Sequence, residues 1–184
     1  MEQSLRFILR EWESTGDLHY VERPVDPRFE LGAVLSLREE GPAQFFRQLQ
    51  GYGMPVVGNV LNAREKIARS LNVERSELQG LCLEALDRGI EPVIVEQGPV
   101  QEIVHDGPID VADLLPVPTW FEREGGPYIT AGVIVAKDAE TGLRNVSIAR
   151  LRLEGGHRLL AGISPSHHLS QLLRRAQVRG QELE

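Results

Sequence analysis

Hydrophobic spacing along the first part of the chain alternates between a helical and a strand period. Apolar residues recur every three or four positions in four segments, which predicts helices over residues 4–13, 29–38, 63–71 and 76–87. Short runs rich in strand-forming residues predict strands over residues 17–22, 43–46 and 55–60. A further strand pair is predicted over residues 92–96 and 101–105. We therefore expect an α/β arrangement in this part of the chain.

The pattern changes after a proline-containing joint at residues 106–124. Prolines break regular structure there, so the segment 111–115 can form only a short helical turn. Beyond the joint, the spacing predicts three strands and a final helix, at residues 128–137, 144–153, 158–163 and 167–178. We therefore predict an α/β (α+β) protein with two domains, residues 1–107 and 108–184. Three strands and one helix leave open sheet edges, which a partner chain or a further part of the protein would cover.

Composition and charge restrict the classes of function. Of 184 residues, 41% are hydrophobic and 26% are charged, as in an ordinary soluble globular protein. A net charge of -7 argues against a nucleic-acid partner, which needs a clustered basic surface. No apolar run could span a membrane and the N-terminus lacks a signal peptide's apolar centre, so we expect a cytoplasmic protein without membrane contact. The single cysteine, Cys82, falls in an apolar helical pattern and is predicted to be a small core residue.

The strand predicted over residues 144–153 contains an unusual group of polar residues. Alternate side chains of a strand share a face. One face would carry Asn145, Ser147 and Ala149, and the other Val146, Ile148 and Arg150. A buried strand rarely contains so many polar groups unless they have partners. A bound ligand would provide such partners, and an exposed strand with one polar face is the alternative.

This segment and the strand before it resemble the flavin-site signature of the UbiD-type decarboxylases. The matching runs are Gly126-Pro-Tyr-Ile-Thr130-Ala-Gly-Val-Ile-Val and Thr141-Gly-Leu-Arg-Asn145-Val-Ser-Ile-Ala-Arg150. Members of that family use a prenylated flavin mononucleotide (prenylated FMN) and a divalent metal to remove carboxylates from aromatic or α,β-unsaturated acids. In them an N-terminal α/β domain precedes a flavin-binding split β-barrel. The resemblance runs along the whole chain and implies the same domains here. The barrel would be only begun, because the chain covers less than half of a usual member.

The resemblance implies a metal site formed by Asn145 and His168, which match the family's asparagine and histidine ligands. These ligands suit Mn²⁺, with Mg²⁺ as the alternative, and the resemblance also allows a K⁺ ion. His168 falls in the first turn of the final helix, where free backbone N–H groups suit the cofactor phosphate. His167 matches a residue that lines this phosphate, and simple solvation is the alternative. The family's glutamate ligand has no match, because Glu182 and Glu184 follow His168 too closely.

Arg150 matches the family's catalytic arginine, whose guanidinium can orient a carboxylate. A salt bridge at the end of a strand is the alternative. The remaining matches are positions that contact the flavin, namely Thr130, Ser147, Ile148 and Ala149, together with Asn145, Arg150, His167 and His168. The family's acidic groups for proton transfer have no recognisable match in this sequence. Phosphate-loop and nucleophile-elbow motifs do not occur in it either.

The resemblance implies a carboxy-lyase that decarboxylates an aromatic or α,β-unsaturated acid reversibly and without oxidation. This chain would supply part of the cofactor site. The alternative is a non-catalytic subunit, or a truncated flavin-binding module, that needs another polypeptide for activity. In either case we expect a small carboxylic acid as the substrate. We also expect a homo-oligomer, or a second subunit that supplies the missing acidic residues.

Overall fold

A computed structural model of the protein describes residues 4–90 and 92–184. Contacts between Cα atoms divide the chain into two compact units. The first unit contains the residues up to Asp26 together with Glu30–Gly107, and the second contains Pro27–Phe29 together with Pro108–Glu184. Each unit combines helices with a three-stranded sheet, which confirms the predicted mixed fold class. Neither sheet closes into a barrel within the described residues.

The helices and strands of the first unit lie where the hydrophobic spacing predicted them. The helices are α1 (Leu5–Thr15), α2 (Glu30–Leu37), α3 (Arg64–Ser70) and α4 (Leu78–Asp87). The strands are β1 (Leu18–Val21), β2 (Ala43–Phe46) and β3 (Val56–Gly58). β2 lies in the middle of the sheet, parallel to β1 and antiparallel to β3. The antiparallel pair confirms that β2 and β3 are joined across the turn at residues 51–53.

The two ends of α1 show how local sequence fixes an element. Ser4 precedes the helix with an extended backbone, and its hydroxyl accepts a hydrogen bond from the Phe7 N–H at 3.1 Å. Gly16 ends the helix in the left-handed conformation, with φ at 77°. Between these ends, Trp12 is 2% exposed and donates from Nε1 to the Val60 carbonyl at 3.0 Å. The apolar face of α1 is therefore anchored in the core of the first unit.

The prediction of a strand pair over residues 92–96 and 101–105 is wrong. The described residues of this segment form no strand, and their only regular element is a 3₁₀ turn at Pro99–Gln101. The apolar side chains lie in solvent, with Ile94 85% and Val100 90% exposed. An isolated strand pair is marginal in water because it needs a third strand or a packed layer to bury its apolar face. Neither sheet extends to this segment.

The prediction that Cys82 is a core residue is also wrong, because this cysteine is exposed. α4 buries none of its side chains, and Leu86 in the same helix is 81% exposed. The apolar stripe correctly predicted a helix, but a stripe is buried only where another layer packs against it. No such layer covers α4 among the described residues.

The second unit is an antiparallel sheet with a helix packed on one face. Its helices are α5 (Val111–Leu114) and α6 (His168–Val178), and its strands are β4 (Tyr128–Lys137), β5 (Arg144–Leu153) and β6 (Leu159–Ala161), in the spatial order β4-β5-β6. β4 and β5 have the predicted bounds, whereas β6 is shorter than predicted. α6 contacts β4 and β5, and it buries Leu169 and Ala176, which are spaced by two helical turns. Within the described residues, no helix has the length and apolar character to cross a membrane.

Candidate active site

Asn145 of β5 and His168 of α6 line one cavity of about 300 Å³ in the second unit. Residues of the turn between β4 and β5 and of the first turns of α6 form its walls, and Arg144 and Arg175 also line it. α6 returns across the sheet after β6, and this path brings the two residues near each other. The structure therefore places together the two side chains that were predicted as metal ligands.

The side chain of Asn145 is held by its neighbour on the same face of β5. Its Nδ2 donates a hydrogen bond to the Ser147 hydroxyl at 2.7 Å, and both residues are half-buried. Since the amide nitrogen is engaged in this way, the Oδ1 oxygen is the group left for a ligand. Amide oxygen is a donor that hard divalent cations accept.

His168 is the first residue of α6, and His167 before it is the N-cap. The His167 backbone is extended and its side chain makes no capping hydrogen bond. The first N–H groups of a helix have no partner within the helix, so this end suits an anionic group such as a phosphate. Both histidine side chains are exposed and accessible to a ligand.

These groups fit a divalent metal that lies next to a phosphate, and they supply two donors for it. Mn²⁺ accepts both the amide oxygen of Asn145 and the imidazole of His168. The described residues contain no group of three or more His, Cys, Asp or Glu side chains that could hold a metal. Glu184 pairs with Lys137 at 3.4 Å and does not line the cavity. Further ligands would therefore be water, the anionic group itself, or residues outside the described ones.

Asp138 lines the same cavity and was not predicted from the sequence. It is 7% exposed and accepts hydrogen bonds from the Glu140 N–H, Thr141 Oγ1 and Arg175 Nη1, each at 3.0 Å. The Glu140 backbone donor is the main cause that holds the pKa of Asp138 below its ordinary value. The carboxylate therefore fixes the β4–β5 turn and ties α6 to it. The available signal was its position at the start of a turn, where aspartate often accepts from the N–H two residues later.

Arg150 lies on the face of β5 opposite to Asn145. This face is open, with Ile148 75% and Val146 67% exposed, whereas Ala149 on the other face is 6% exposed. The difference confirms the alternation of faces that was predicted from the sequence. Within residues 4–90 and 92–184, the Arg150 guanidinium makes no hydrogen bond or ion pair, so the salt bridge considered as its alternative role is not found there.

A β-bulge sets two residues of β4 opposite Arg150. The register of β4 on β5 shifts between two pairs, Ile129–Leu151 and Gly132–Ala149. Thr130 and Ala131 therefore face the single residue Arg150, and both are exposed. Bulges bend a strand, redirect its side chains and are frequent beside active sites. The irregularity thus places Thr130, a predicted flavin contact, beside the predicted catalytic arginine.

The edge of β5 that faces away from β4 is open along much of its length. β6 pairs only with Leu151–Leu153, and beyond it the Gly162 N–H donates to the Arg150 carbonyl at 3.0 Å. On this side, the part of β5 before Arg150 faces no other described strand. Asn145 flanks the open edge on one face of the sheet, and Ile148 flanks it on the other. A planar ligand with hydrogen-bonding groups, bound at this edge, could therefore contact Asn145 on one face and Ile148 on the other.

Two family models match the chain in consecutive segments. The N-terminal domain of 3-octaprenyl-4-hydroxybenzoate carboxy-lyase matches residues 9–84, and the Rift-related domain of the same enzyme, named UbiD, matches residues 92–184. The anhydromevalonate phosphate decarboxylase of Methanothermobacter thermautotrophicus is 37% identical over 166 residues, which are 89% of this chain and 37% of that protein. The matches thus extend over both structural units and include a decarboxylase.

Solved structures agree with the sequence matches. The UbiD-class enzyme HmfF from Pelotomaculum thermopropionicum, in an evolved dimeric form in complex with prFMN, has a TM-score of 0.95 and 33% identity, covering 99% of this chain and 43% of that one. The vanillic acid decarboxylase of Sedimentibacter hydroxybenzoicus, in its closed form, has a TM-score of 0.89 and 25% identity, covering 100% of this chain and 42% of that one. The chain spans about two fifths of the length of these relatives. On its sequence and its fold alike, the chain belongs to the UbiD family, whose relatives here are decarboxylases.

Proposed function

We propose that this chain supplies the cofactor side of a carboxy-lyase site. The reaction is the reversible, non-oxidative decarboxylation of an aromatic or α,β-unsaturated carboxylic acid, with prenylated FMN and a divalent metal, Mn²⁺ or Mg²⁺. The main support is that Asn145 and His168 line one cavity at the N-terminus of α6, in a chain of the UbiD family. The solved structure of HmfF, which this chain resembles in fold, is in complex with prFMN.

The first task of the chain is to hold the metal and the cofactor phosphate. Asn145 Oδ1 and the His168 imidazole bind the metal, and the Ser147 hydroxyl keeps the asparagine amide in its orientation. His167 and the free N–H groups at the start of α6 line the phosphate. K⁺ is a further ion that the bound phosphate and these donors could hold. When bound, the prenylated flavin supplies the electron sink for the loss of CO₂.

The second task is to orient the substrate. The Arg150 guanidinium is exposed and presents a fixed fork of donors that can hold the reacting carboxylate. Thr130 lies opposite it across the bulge, and Ile148 lies on the same exposed face. Together with the Ala149 backbone at the open edge of β5, these residues form the contacts proposed for the flavin ring.

Acidic groups for proton transfer come from outside the described residues in this proposal. The assembly is either a homo-oligomer or a complex with a second subunit that supplies these acidic groups. Dimeric HmfF and the vanillic acid decarboxylase termed ShVdcCD are relatives for which an assembly or a second component is named. We also propose a cytoplasmic location, with which a single free cysteine is compatible.

A second candidate function is a non-catalytic flavin-binding subunit that becomes active only with another polypeptide. The observation in its favour is that the candidate metal cavity has two available protein donors, because its one acidic side chain, Asp138, is already engaged by Glu140, Thr141 and Arg175. In that case the chain would bind the cofactor and the metal but would not turn over substrate by itself.

The test is native mass spectrometry with a flavin absorbance spectrum, on protein co-expressed with a flavin-prenylating enzyme and supplied with Mn²⁺. We expect bound flavin and metal in the wild type, loss of metal in Asn145→Ala and His168→Ala, and retained cofactor in Arg150→Ala. His157→Ala and Arg158→Ala, both at exposed positions, are the matched controls. A decarboxylation assay on the same samples separates the two candidate functions. Cofactor binding with turnover supports the carboxy-lyase, and cofactor binding without turnover supports the non-catalytic subunit. A bare wild-type chain would contradict both.

A further inference from the structure

Gln171 of α6 lies in the wall of the candidate metal cavity and has no role in the proposed reaction. It lines the cavity together with His168, which precedes it by three residues in the helix. Residues three apart in a helix lie on the same face, with Cβ atoms about 5–6 Å apart. Leu172 and Arg175 complete this face and also line the cavity. The helix therefore presents Gln171 on the same side as the predicted metal ligand His168.

A divalent metal held by Asn145 and His168 would keep water among its ligands. Mn²⁺ and Mg²⁺ prefer octahedral sets rich in oxygen ligands, and the two protein donors fill only part of such a set. His168 is exposed, so water can enter from solvent. A water molecule bound to a cation is a strong hydrogen-bond donor. The wall of the cavity must therefore offer an acceptor for its protons.

The other side-chain oxygens of the cavity already have partners or a proposed role. Asp138 accepts three hydrogen bonds from the β4–β5 turn and from α6. The Thr141 hydroxyl donates its proton to Asp138 and accepts from the Leu143 N–H at 3.3 Å. The Asn145 Oδ1 oxygen is the proposed metal ligand. Among the side chains that line the cavity, the remaining oxygen acceptor is Oε1 of Gln171.

The Gln171 amide is free to take this role. Within residues 4–90 and 92–184, its side chain makes no hydrogen bond. We propose that Gln171 is a positioning residue, whose Oε1 accepts a hydrogen bond from a water ligand of the metal that Asn145 and His168 bind. Groups that hold the ligands of a metal in this way contribute about 10- to 100-fold to its affinity. The proposal rests on the proposed function, because that function assigns the metal to this cavity.

The test is a titration of the full chain with Mn²⁺, followed through the electron paramagnetic resonance signal of the free ion. Gln171→Met keeps the length of the side chain and removes the acceptor, so we expect it to weaken Mn²⁺ binding by about tenfold or more. Gln171→Glu keeps an oxygen at the same position and should bind Mn²⁺ at least as tightly as the wild type. Equal affinities of the wild type and Gln171→Met would overturn the proposal.

Gln177 provides the matched control, because it is exposed in the same helix and does not line the cavity. Gln177→Met should bind Mn²⁺ as the wild type does. Gln177→Glu measures the effect of one added negative charge on α6, and it should raise the affinity less than Gln171→Glu does. Circular dichroism verifies that each variant is folded, and methionine is a good helix former. Equal effects of the same change at both positions would contradict a specific role of Gln171.

Relaxation of water protons by bound Mn²⁺ separates a contact with the water ligand from a structural role. In Gln171→Met saturated with Mn²⁺, we expect as many water ligands as in the wild type, with faster exchange, because the bound water has lost its acceptor. Unchanged exchange would contradict the contact. An additional water ligand would show that Gln171 itself binds the metal, and would overturn the water-mediated contact.

Asn145→Ala and His168→Ala on the same titration separate this proposal from the proposed function. If both variants lose Mn²⁺ but Gln171→Met binds it as the wild type does, the role of Gln171 fails and the proposed function stands. If the wild type binds no Mn²⁺, the metal assignment of the proposed function fails, and the role of Gln171 fails with it.

Discussion

Short polar contacts of single residues shape the candidate metal cavity before any ligand binds. The Ser147 hydroxyl accepts a hydrogen bond from the Asn145 amide and fixes its orientation. Asp138 stabilises the β4–β5 turn and accepts a hydrogen bond from the Arg175 guanidinium of α6. These groups are engaged by the protein, whereas the Asn145 oxygen and the His168 imidazole remain for a ligand. Positioning and binding are thus divided among neighbouring side chains.

Asp138→Asn should lower stability at neutral pH and remove part of its acid dependence. The pKa of Asp138 lies below its ordinary value of 3.8, chiefly because the Glu140 N–H donates to it. Its stabilising contribution is therefore fully present above that value and is lost as the pH falls through the folded-state pKa. Urea unfolding of both proteins at about pH 7 and about pH 3 measures the effect.

The difference in unfolding free energy between wild type and Asp138→Asn should be larger at the higher pH. Asp113→Asn, at an exposed position of α5, is the control and should show a smaller difference. A wild-type advantage that is the same at both pH values would contradict the stabilising role of the Asp138 carboxylate.

Gly132→Ala should destabilise the second unit by about 1–3 kcal/mol. A Cβ atom at this position would be 2.9 Å from the Ala149 carbonyl oxygen, and a backbone atom in a sheet cannot easily move away. Gly162→Ala is the control, because its Cβ would be at an ordinary 3.7 Å from the nearest atom, the Arg150 carbonyl oxygen. The measurement is the urea midpoint of each variant. Equal midpoints for the two variants would show that the sheet tolerates the extra methyl group at Gly132.

At the scale of elements, α6 determines where the candidate ligands meet. The helix is anchored by Leu169 and Ala176, which are 2% and 3% exposed, and its first residue is His168. The hairpin of β4 and β5 supplies the other side of the cavity, so the distance between Asn145 and His168 depends on how the helix packs on the sheet.

Leu169→Ala should cost about 2–5 kcal/mol of unfolding free energy, as buried leucine truncations do. It should also weaken Mn²⁺ binding, because the residue immediately follows His168 and holds the first turn of α6 against the sheet. Val178→Ala, at a position that is 88% exposed in the same helix, is the control. Urea unfolding and Mn²⁺ titration measure the two effects. A destabilised variant with unchanged metal affinity would show that packing of α6 does not position His168.

Predictions of elements succeeded where the local pattern was enough. The bounds of β4 and β5 and the division of the β5 side chains between two faces follow from period-two alternation. The strand pair over residues 92–96 and 101–105 failed, although its residues favour strands. Strand formation depends on a partner, and the described structure offers none to this segment.

At the scale of the whole molecule, each unit leaves apolar surface in contact with solvent. In the first unit this surface includes Ile94 and Val100, and in the second it includes Val133 and Ile148, the last being 75% exposed. Large exposed apolar patches commonly mark surfaces that another chain or domain covers. The chain spans about two fifths of its relatives, so this surface agrees with the proposal that the active enzyme includes further protein.

The sequence by itself determined the helices and main strands, the division of Asn145 and Arg150 between opposite faces of one strand, and the family. These features depend on hydrophobic period, turn residues and short motifs, which are local properties of the chain. The roles predicted for the site residues remain predictions, because no ligand contact tests them. About the candidate site, the sequence therefore determined only the face of β5 on which each strand residue lies.

Tertiary structure alone decided which groups meet and which stay exposed. It joined Asn145 with His168 in one cavity, engaged Asp138 in holding the turn, and gathered Arg123 near Arg150 and Arg152. It also left Cys82 in solvent. The physical reason is that burial, bulges and cavities arise when separate elements pack, and the spacing of residues along one element does not specify the surface that will face it.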